Sequence, residues 1–212
     1  MHTNSDIRPF HRSAVLASVE VVSTVTVDDL SRVTPCVGWS LAELLAHMTV
    51  QHRGFAAAAR GHGADPEIWQ PGTVADAIAA DPAGAYSAAA ADVIDAFAGA
   101  DVPDAVFALP EFGPGATFPG SVAIGFHLVD YVVHGWDVAR TMGQSFELPA
   151  DVVAAALPLA FVVPDGDFRT SEGAVFGPAI PSTEPADDLD RILAHLGRSP
   201  QWQPAVAAGD PR

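Results

Sequence analysis

Four polar residues recur at helical spacing inside an otherwise apolar segment of the chain. They are His127, Asp130, His134 and Asp137. Their intervals of three, four and three residues place the side chains on one side of an α-helix. Burying an unpaired carboxylate is costly, and a bound cation relieves that cost. The stripe therefore indicates either a metal site or a set of ion pairs within the helix.

Asp130 and His134 are the best candidates for metal ligands in this stripe because they lie one helical turn apart. The i, i+4 spacing lets two side chains converge on one ion, as in helical zinc motifs. The same spacing suits a plain His–Asp ion pair, and Asp137 with Arg140 suits another. The position of His127 is compatible with three roles: a further metal ligand, a residue that orients a ligand, or an ordinary core histidine. The pattern alone leaves these alternatives open.

A third ligand has to come from another helix, and the helix predicted after Ser40 offers His47 and His52. The apolar stripe of that helix has His52 at its centre and His47 at its edge. Periodicity alone therefore favours His52. Cys36 lies in the turn before this helix, and we interpret it as a small buried hydrophobe and not as a nucleophile.

The elements that must position these residues are mostly helical. Apolar periodicity and breakers predict helices over residues 8–24, 41–61, 82–99, 121–142, 149–162 and 184–198. The helix over 121–142 is apolar nearly all round, so we expect it at the centre of the fold. Residues 100–120 are rich in proline and glycine and are predicted to form a long loop over one end of the helices. The pattern favours an all-α bundle.

Local signals mark the ends of three of these helices. Ser40 followed by Glu43 is the pattern of a capping box. Asp81 before Pro82 is typical of a helix start, and Gly143 is typical of a C-terminal cap. We expect one domain over residues 1–212, with the bundle over about 5–145 and a C-terminal extension over about 146–212.

Composition excludes several classes of function. The net charge of −16 and the pI near 4.5 argue against binding to nucleic acids or anionic membranes. All ten basic residues are arginine, which excludes Schiff-base lysines and P-loop lysines. The chain has one cysteine, no apolar signal segment at its N-terminus and no apolar run of membrane-spanning length. We therefore expect a cytoplasmic protein without internal disulfides.

Three segments carry a resemblance to a known family. They are TPCVGWSLAELLAHM (34–48), HLVDYVVHGWDVARTMG (127–143) and LDRILAHLGRSPQW (189–202). With them the chain resembles the actinobacterial DinB-like metal-binding proteins, relatives of the metal-binding N-terminal domain of mycothiol-dependent maleylpyruvate isomerase. The resemblance implies a four-helix bundle that binds a divalent cation, zinc or nickel.

The resemblance also implies a ligand set: a histidine of the second helix, and an acidic residue and a histidine four apart on the fourth. These match His47, Asp130 and His134, so the resemblance favours His47 over His52. The resemblance implies a glutamate as the acidic ligand of the isomerase, and Asp130 is one methylene shorter. The sequence offers no counterpart to the C-terminal domain that helps to form the isomerase's substrate pocket.

Three protein ligands leave a coordination position open, as in catalytic zinc sites. By analogy, the metal would activate the thiol of mycothiol, and the protein would be a mycothiol-dependent transferase or isomerase acting on a small-molecule substrate. The alternative is a non-catalytic metal- or ligand-binding protein that responds to stress. The sequence leaves open whether the bundle forms a homodimer.

Overall fold

Helices dominate the computed structural model, which describes residues 6–170, 176–181 and 186–204. In order along the described chain, the α-helices are α1 (Arg8–Val22), α2 (Leu41–Ala59), α3 (Ala75–Ala80), α4 (Pro82–Phe97), α5 (Gly120–Thr141), α6 (Ala150–Ala160) and α7 (Asp188–His195). Two short strands, β1 (Val106–Ala108) and β2 (Thr117–Pro119), complete the regular structure. Among the described helices, none combines the length and apolarity that crossing a membrane requires.

Four of the helices form the predicted bundle. Helices α1 and α2 each pack against both α4 and α5, so the order around the bundle is α1, α4, α2, α5. Helix α6 packs beside α5 and α1, and α7 packs on α6. Nearly every side chain of α5 is buried, which confirms its central position. The all-α, DinB-like bundle expected from the sequence is confirmed.

The predicted helix ends are also confirmed. At the start of α2, the Glu43 carboxylate accepts from the Ser40 backbone N–H at 2.8 Å, and the Ser40 hydroxyl accepts from the Glu43 N–H at 3.4 Å. The Asp81 carboxylate accepts from the backbone N–H of Gly84 at 2.9 Å. Gly143 follows α5 with a φ of 69°, a left-handed conformation that favours glycine.

Two parts of the fold differ from the predictions. The predicted loop over 100–120 contains an antiparallel hairpin in which Phe107 of β1 pairs with Phe118 of β2. Its strands span three residues each, too few for a periodic signal, and the buried ring of Phe107 anchors β1. Helix α3 was not predicted. It is only six residues long, and Ile78 supplies its buried contact.

The last two predicted helices exist but are shorter than predicted. Helix α6 ends at Ala160, and α7 begins at Asp188. Asp187 caps the start of α7, since its carboxylate accepts a hydrogen bond from the Asp190 N–H at 2.8 Å. Residues 184 and 185, which the prediction included, lie outside the described residues.

Candidate metal centre

Helices α2 and α5 bring His47, Asp130 and His134 together inside the bundle. One donor atom from each residue lies within 4.8 Å of the other two. Nε2 of His134 is 3.3 Å from Oδ1 of Asp130, and Nε2 of His47 is 3.9 Å from Oδ2. A tetrahedral ion with ligands about 2.1 Å away holds neighbouring donors about 3.4 Å apart. The three side chains therefore stand at nearly the spacing that such an ion requires.

The two imidazole nitrogens at this point make no well-formed hydrogen bond with a described residue, although Nε2 of His134 lies 3.3 Å from the Asp130 carboxylate. Nε2 of His47 and Nε2 of His134 are both buried. Leaving a buried polar atom unpaired costs about 1–3 kcal/mol. A metal ion would supply the missing partner, and two imidazoles with a carboxylate form a donor set that zinc accepts. The residues fit a divalent cation.

The opposite face of His134 is fixed by a buried polar chain. Its Nδ1 lies 2.9 Å from Oδ2 of Asp137, the carboxylate–histidine arrangement that orients metal-binding imidazoles. The Arg198 guanidinium donates to the same oxygen at 3.1 Å, and the Cys36 thiol donates to it at 3.1 Å. Asp137 is fully buried and Arg198 is 3% exposed. The ring of His134 is therefore held in one orientation.

Cys36, His134 and Asp137 form a second group of converging donor atoms. Arg198 already places its charge there, because its Nη2 lies 3.0 Å from the Cys36 sulfur and 3.1 Å from the Asp137 carboxylate. A metal ion at that point would be repelled by the guanidinium. The group around Asp130 is the better candidate for a metal site.

The charge states of two of the three candidate ligands, His47 and Asp130, suit cation binding directly. Burial lowers the pKa of His47 to about 4, with Asp130 opposing the shift, so its imidazole is neutral at pH 7. Burial acts to raise the pKa of Asp130, but His134 and His47 hold it below its ordinary value. Burial acts to lower the pKa of His134, but the neighbouring Asp130, Cys36 and Asp137 raise it well above the ordinary value. A metal must therefore displace a proton from His134.

The remaining two histidines considered from the sequence lie elsewhere. His52 and His127 stack on Tyr131 with ring centroids 4.0 and 4.2 Å away, and His127 Nδ1 is 2.8 Å from His11 Nε2. His127 lies seven residues before His134, which is about 10 Å along a helix and too far to share one ion. Neither His52 nor His127 belongs to a described group of converging donors.

The expected Asp137–Arg140 ion pair is wrong. Arg140 stacks over the Trp136 ring and donates to the Pro200 carbonyl oxygen at 2.8 Å. Asp137 pairs instead with Arg198, which is 61 residues further along the chain. The interpretation of Cys36 as a mere hydrophobe misses its contacts with Asp137 and Arg198. Cys36 lies in the first segment of the resemblance (34–48) and Arg198 in the third (189–202). Their place in these segments was the signal in the sequence that could have pointed to their role.

A cavity of about 920 Å³ reaches the candidate metal site, with His47 and Asp130 in its wall. Most of the other lining side chains are apolar, among them Phe55, Phe112, Phe126, Val129, Leu159 and Phe176. Asp130 retains 15% side-chain exposure, whereas His134 has none. The site is therefore open on the cavity side and closed on the side of Asp137.

Glu111 also borders the cavity and was not singled out in the sequence. It follows β1, and its Oε2 accepts from Nε2 of Gln51 on α2 at 2.8 Å. The carboxyl group is accessible through the cavity but crowded by neighbouring atoms. This crowding raises the pKa of Glu111 to about 7, although the hydrogen bond from Gln51 acts to lower it. Glu111 thus carries an acid–base group that titrates near neutral pH.

Comparison with known proteins finds a family, relatives and a solved structure that are similar to this chain. The sequence model of the "Mycothiol maleylpyruvate isomerase N-terminal domain" matches residues 11–139. An uncharacterised protein of Mycobacterium tuberculosis, recorded in the CDC 1551 and H37Rv strains, is 29% identical over 189 residues, which are 89% of this chain and 96% of that protein. The crystal structure of the mycothiol-dependent maleylpyruvate isomerase superposes with a TM-score of 0.60 at 14% identity.

The superposition extends past the N-terminal domain. It covers 95% of this chain and 82% of the isomerase chain, so it continues well beyond residue 139. The sequence alone offered no counterpart to the isomerase's C-terminal domain, and the superposition includes residues of this chain that lie after the bundle. At this identity the likeness concerns the fold alone.

Proposed function

The chain belongs to the mycothiol maleylpyruvate isomerase N-terminal domain family, and on this premise we propose that it is a metal-dependent enzyme that uses mycothiol as a transferase or isomerase. The thiol and an electrophile would meet in the cavity beside His47 and Asp130. We place this chemistry in the cytoplasm, because a free thiol substrate requires a reducing compartment.

The observation that carries the proposal is the convergence of His47, Asp130 and His134 at the wall of a large cavity, with two buried imidazole nitrogens that make no well-formed hydrogen bond. These residues would hold a divalent ion, zinc or nickel, and leave a coordination position open toward the cavity. When bound, such an ion supplies Lewis-acid activation that lowers the pKa of a thiol.

The chain's own residues would perform the remaining tasks. Asp137 and Arg198 keep the His134 ring oriented. The apolar wall excludes water from the sulfur and the electrophile. The thiol would release its proton to solvent, and the thiolate sulfur would bond to the β-carbon of an unsaturated carbonyl compound while the π electrons of the carbon–carbon double bond shift to give an enolate. Glu111 can then deliver a proton to the α-carbon, and solvent reprotonates Glu111.

Metal analysis of protein purified without a metal-affinity tag tests the ligand set. We expect about one divalent ion per chain, and Zn²⁺ or Ni²⁺ should raise the Tm. Alanine at His47, Asp130 or His134 should abolish binding. Asp137→Asn should weaken it by about 10- to 100-fold, because the imidazole loses its orienting carboxylate. The exposed His62→Ala is the matched control and should bind normally.

Protein without a divalent ion, with a Tm insensitive to both metals, would contradict the metal site. For the catalytic proposal, the metal-loaded protein is incubated with mycothiol and a panel of electrophiles, and thiol consumption is compared with the chelated protein. A metal-binding protein that consumes no thiol with any electrophile would instead be a non-catalytic binding protein.

A further inference from the structure

One face of α5 forms a continuous wall of the cavity. Val122, Gly125, Phe126 and Val129 follow one another at helical spacing and lead to Asp130. Asp130 lies eight positions after Val122, which corresponds to about 12 Å along the helix. The wall is apolar along this length until it reaches the candidate metal site.

The facing walls are mostly apolar, with Gln51, Asp104 and Glu111 among their polar members. These walls come from α2, from the turn between β1 and β2, from the end of α6 and from the segment around Phe176. At the outer end, Phe112, Val122 and Val162 remain 52%, 41% and 74% exposed. Apolar side chains left exposed around one opening mark a site for an apolar ligand.

The cations of the described lining residues are already engaged. Arg8 pairs with Asp6 at 2.7 Å and donates to the Gly99 carbonyl oxygen at 2.8 Å. Arg169 is buried and donates to the backbone carbonyl oxygens of Pro164 at 2.9 Å and Val163 at 3.0 Å. The other charged groups in this lining are carboxylates. Among the described lining residues, an anionic substrate would therefore find no unengaged guanidinium to offset these carboxylates, and the open position of a bound metal would be taken by the thiol.

We propose that the electrophile is an uncharged molecule with an elongated apolar body of about 12 Å that lies along α5, with its reactive carbon beside Asp130. This inference rests on the function proposed above. A long-chain α,β-unsaturated aldehyde or ketone has the required shape and chemistry, whereas a dicarboxylate does not.

Binding can be measured without metal or thiol. N-phenyl-1-naphthylamine, an uncharged apolar fluorophore, should bind saturably to the chelated protein, and 2-decanone should displace it. Maleate should not displace it. Absence of saturable binding, or displacement by maleate as effective as by 2-decanone, would overturn the proposal.

Gly125 offers a variant that reduces the cavity volume beside α5. Gly125 is buried, and a Cβ at this position would already contact Leu159 at 3.4 Å and Ile7 at 3.7 Å, so a leucine side chain has room only by extending into the cavity or by displacing these two lining side chains. Gly125→Leu should weaken 2-decanone binding at least about tenfold, since several methylenes lose their place. The control is Ala88→Leu on the exposed surface of α4, which adds a larger side chain away from the cavity. If Gly125→Leu fails to fold, Gly125→Ala, whose Cβ fits, should give a smaller loss in the same direction.

Chain-length dependence connects the cavity to turnover. With mycothiol and metal, kcat/KM for 2-enals of four to ten carbons should rise about two- to fourfold per methylene, and the rise should vanish in Gly125→Leu. Turnover without chain-length dependence would overturn the substrate proposal and leave the thiol chemistry intact. If no enal reacts but fluorophore binding remains sensitive to Gly125, the proposed function fails and the apolar cavity stands.

Discussion

Glu111 is the acid–base group whose behaviour most directly separates a reacting cavity from a merely binding one. Its pKa is raised to about 7, so the carboxyl group is protonated below that pH and ionised above it. If Glu111 donates the final proton, kcat/KM should fall as the pH rises through about 7. Glu111→Gln should lower kcat/KM and remove this fall, the descending limb of the pH profile of kcat/KM measured between pH 5.5 and 9.

Gln51→Leu provides the matched test of the same limb. The Gln51 amide donates to the Glu111 carboxylate and so acts to lower its pKa. Without that donor the pKa rises further, and the limb should move to higher pH while remaining visible. A profile that is identical in the original protein and both variants would remove Glu111 from the reaction.

The candidate site was only partly predictable at the level of residues. Asp130 and His134 belong to one helix, so their spacing is visible in the sequence. The choice of His47 over His52 needed the resemblance, because a helical wheel reports burial and does not say which neighbouring helix a side chain faces. Arg198 and Glu111 meet their partners across 61 and 60 residues of chain, and periodicity contains no information about such contacts.

At the level of elements, two helical glycines with opposite surroundings offer a paired prediction. Gly54 of α2 touches Trp69: an added Cβ would lie 2.5 Å from its ring. The indole is held there by donating to the Gly63 carbonyl oxygen at 2.9 Å. Gly54→Ala should therefore lower the free energy of unfolding by about 1–3 kcal/mol, because the ring has to move.

Gly125→Ala is the counterpart on α5. Its Cβ would meet no described atom closer than 3.4 Å, and alanine is favoured over glycine inside a helix by about 0.5–1 kcal/mol. This variant should be neutral or more stable in urea unfolding. Equal effects of the two substitutions would contradict the close contact between α2 and Trp69.

Prediction of the elements succeeded where the determining signal is local. The caps at Ser40 and Asp81 act on the next three residues, and both helices begin where these caps indicate. The hairpin and α3 were missed because each is too short to show a period and is stabilised by burying one or two side chains, such as Phe107 and Ile78. Their formation depends on the bundle, which is a tertiary effect.

For the whole molecule, buried histidines predict a loss of stability in acid. Burial lowers the pKa of His11 to about 3, and burial also lowers those of His52 and His127. Because the unfolded pKa is about 6.5, these groups contribute full stability above that pH and lose it as the pH falls toward the folded values. His11 alone should lower the free energy of unfolding by about 2 kcal/mol between pH 7 and pH 5.

Urea unfolding of the chelated protein at several pH values measures this loss. His134 acts in the opposite direction because its pKa is raised, so the comparison between variants is more informative than the total. His11→Phe should flatten the dependence by about 2 kcal/mol over this interval. The exposed His62→Phe should leave it unchanged, and a His11→Phe curve parallel to that of the original protein would contradict the assignment.

The buried pair of Asp137 and Arg198 also determines an order of events during synthesis. Since a chain emerges from its N-terminus, α5 can collapse into the bundle before Arg198 exists. Until the later segment docks, the Asp137 carboxylate lacks its guanidinium and His134 lacks a fixed orientation. The candidate metal centre therefore acquires its full set of contacts only after the C-terminal segment has docked, and a nascent bundle that bound an ion earlier would hold it with a His134 ring that is not yet fixed in orientation.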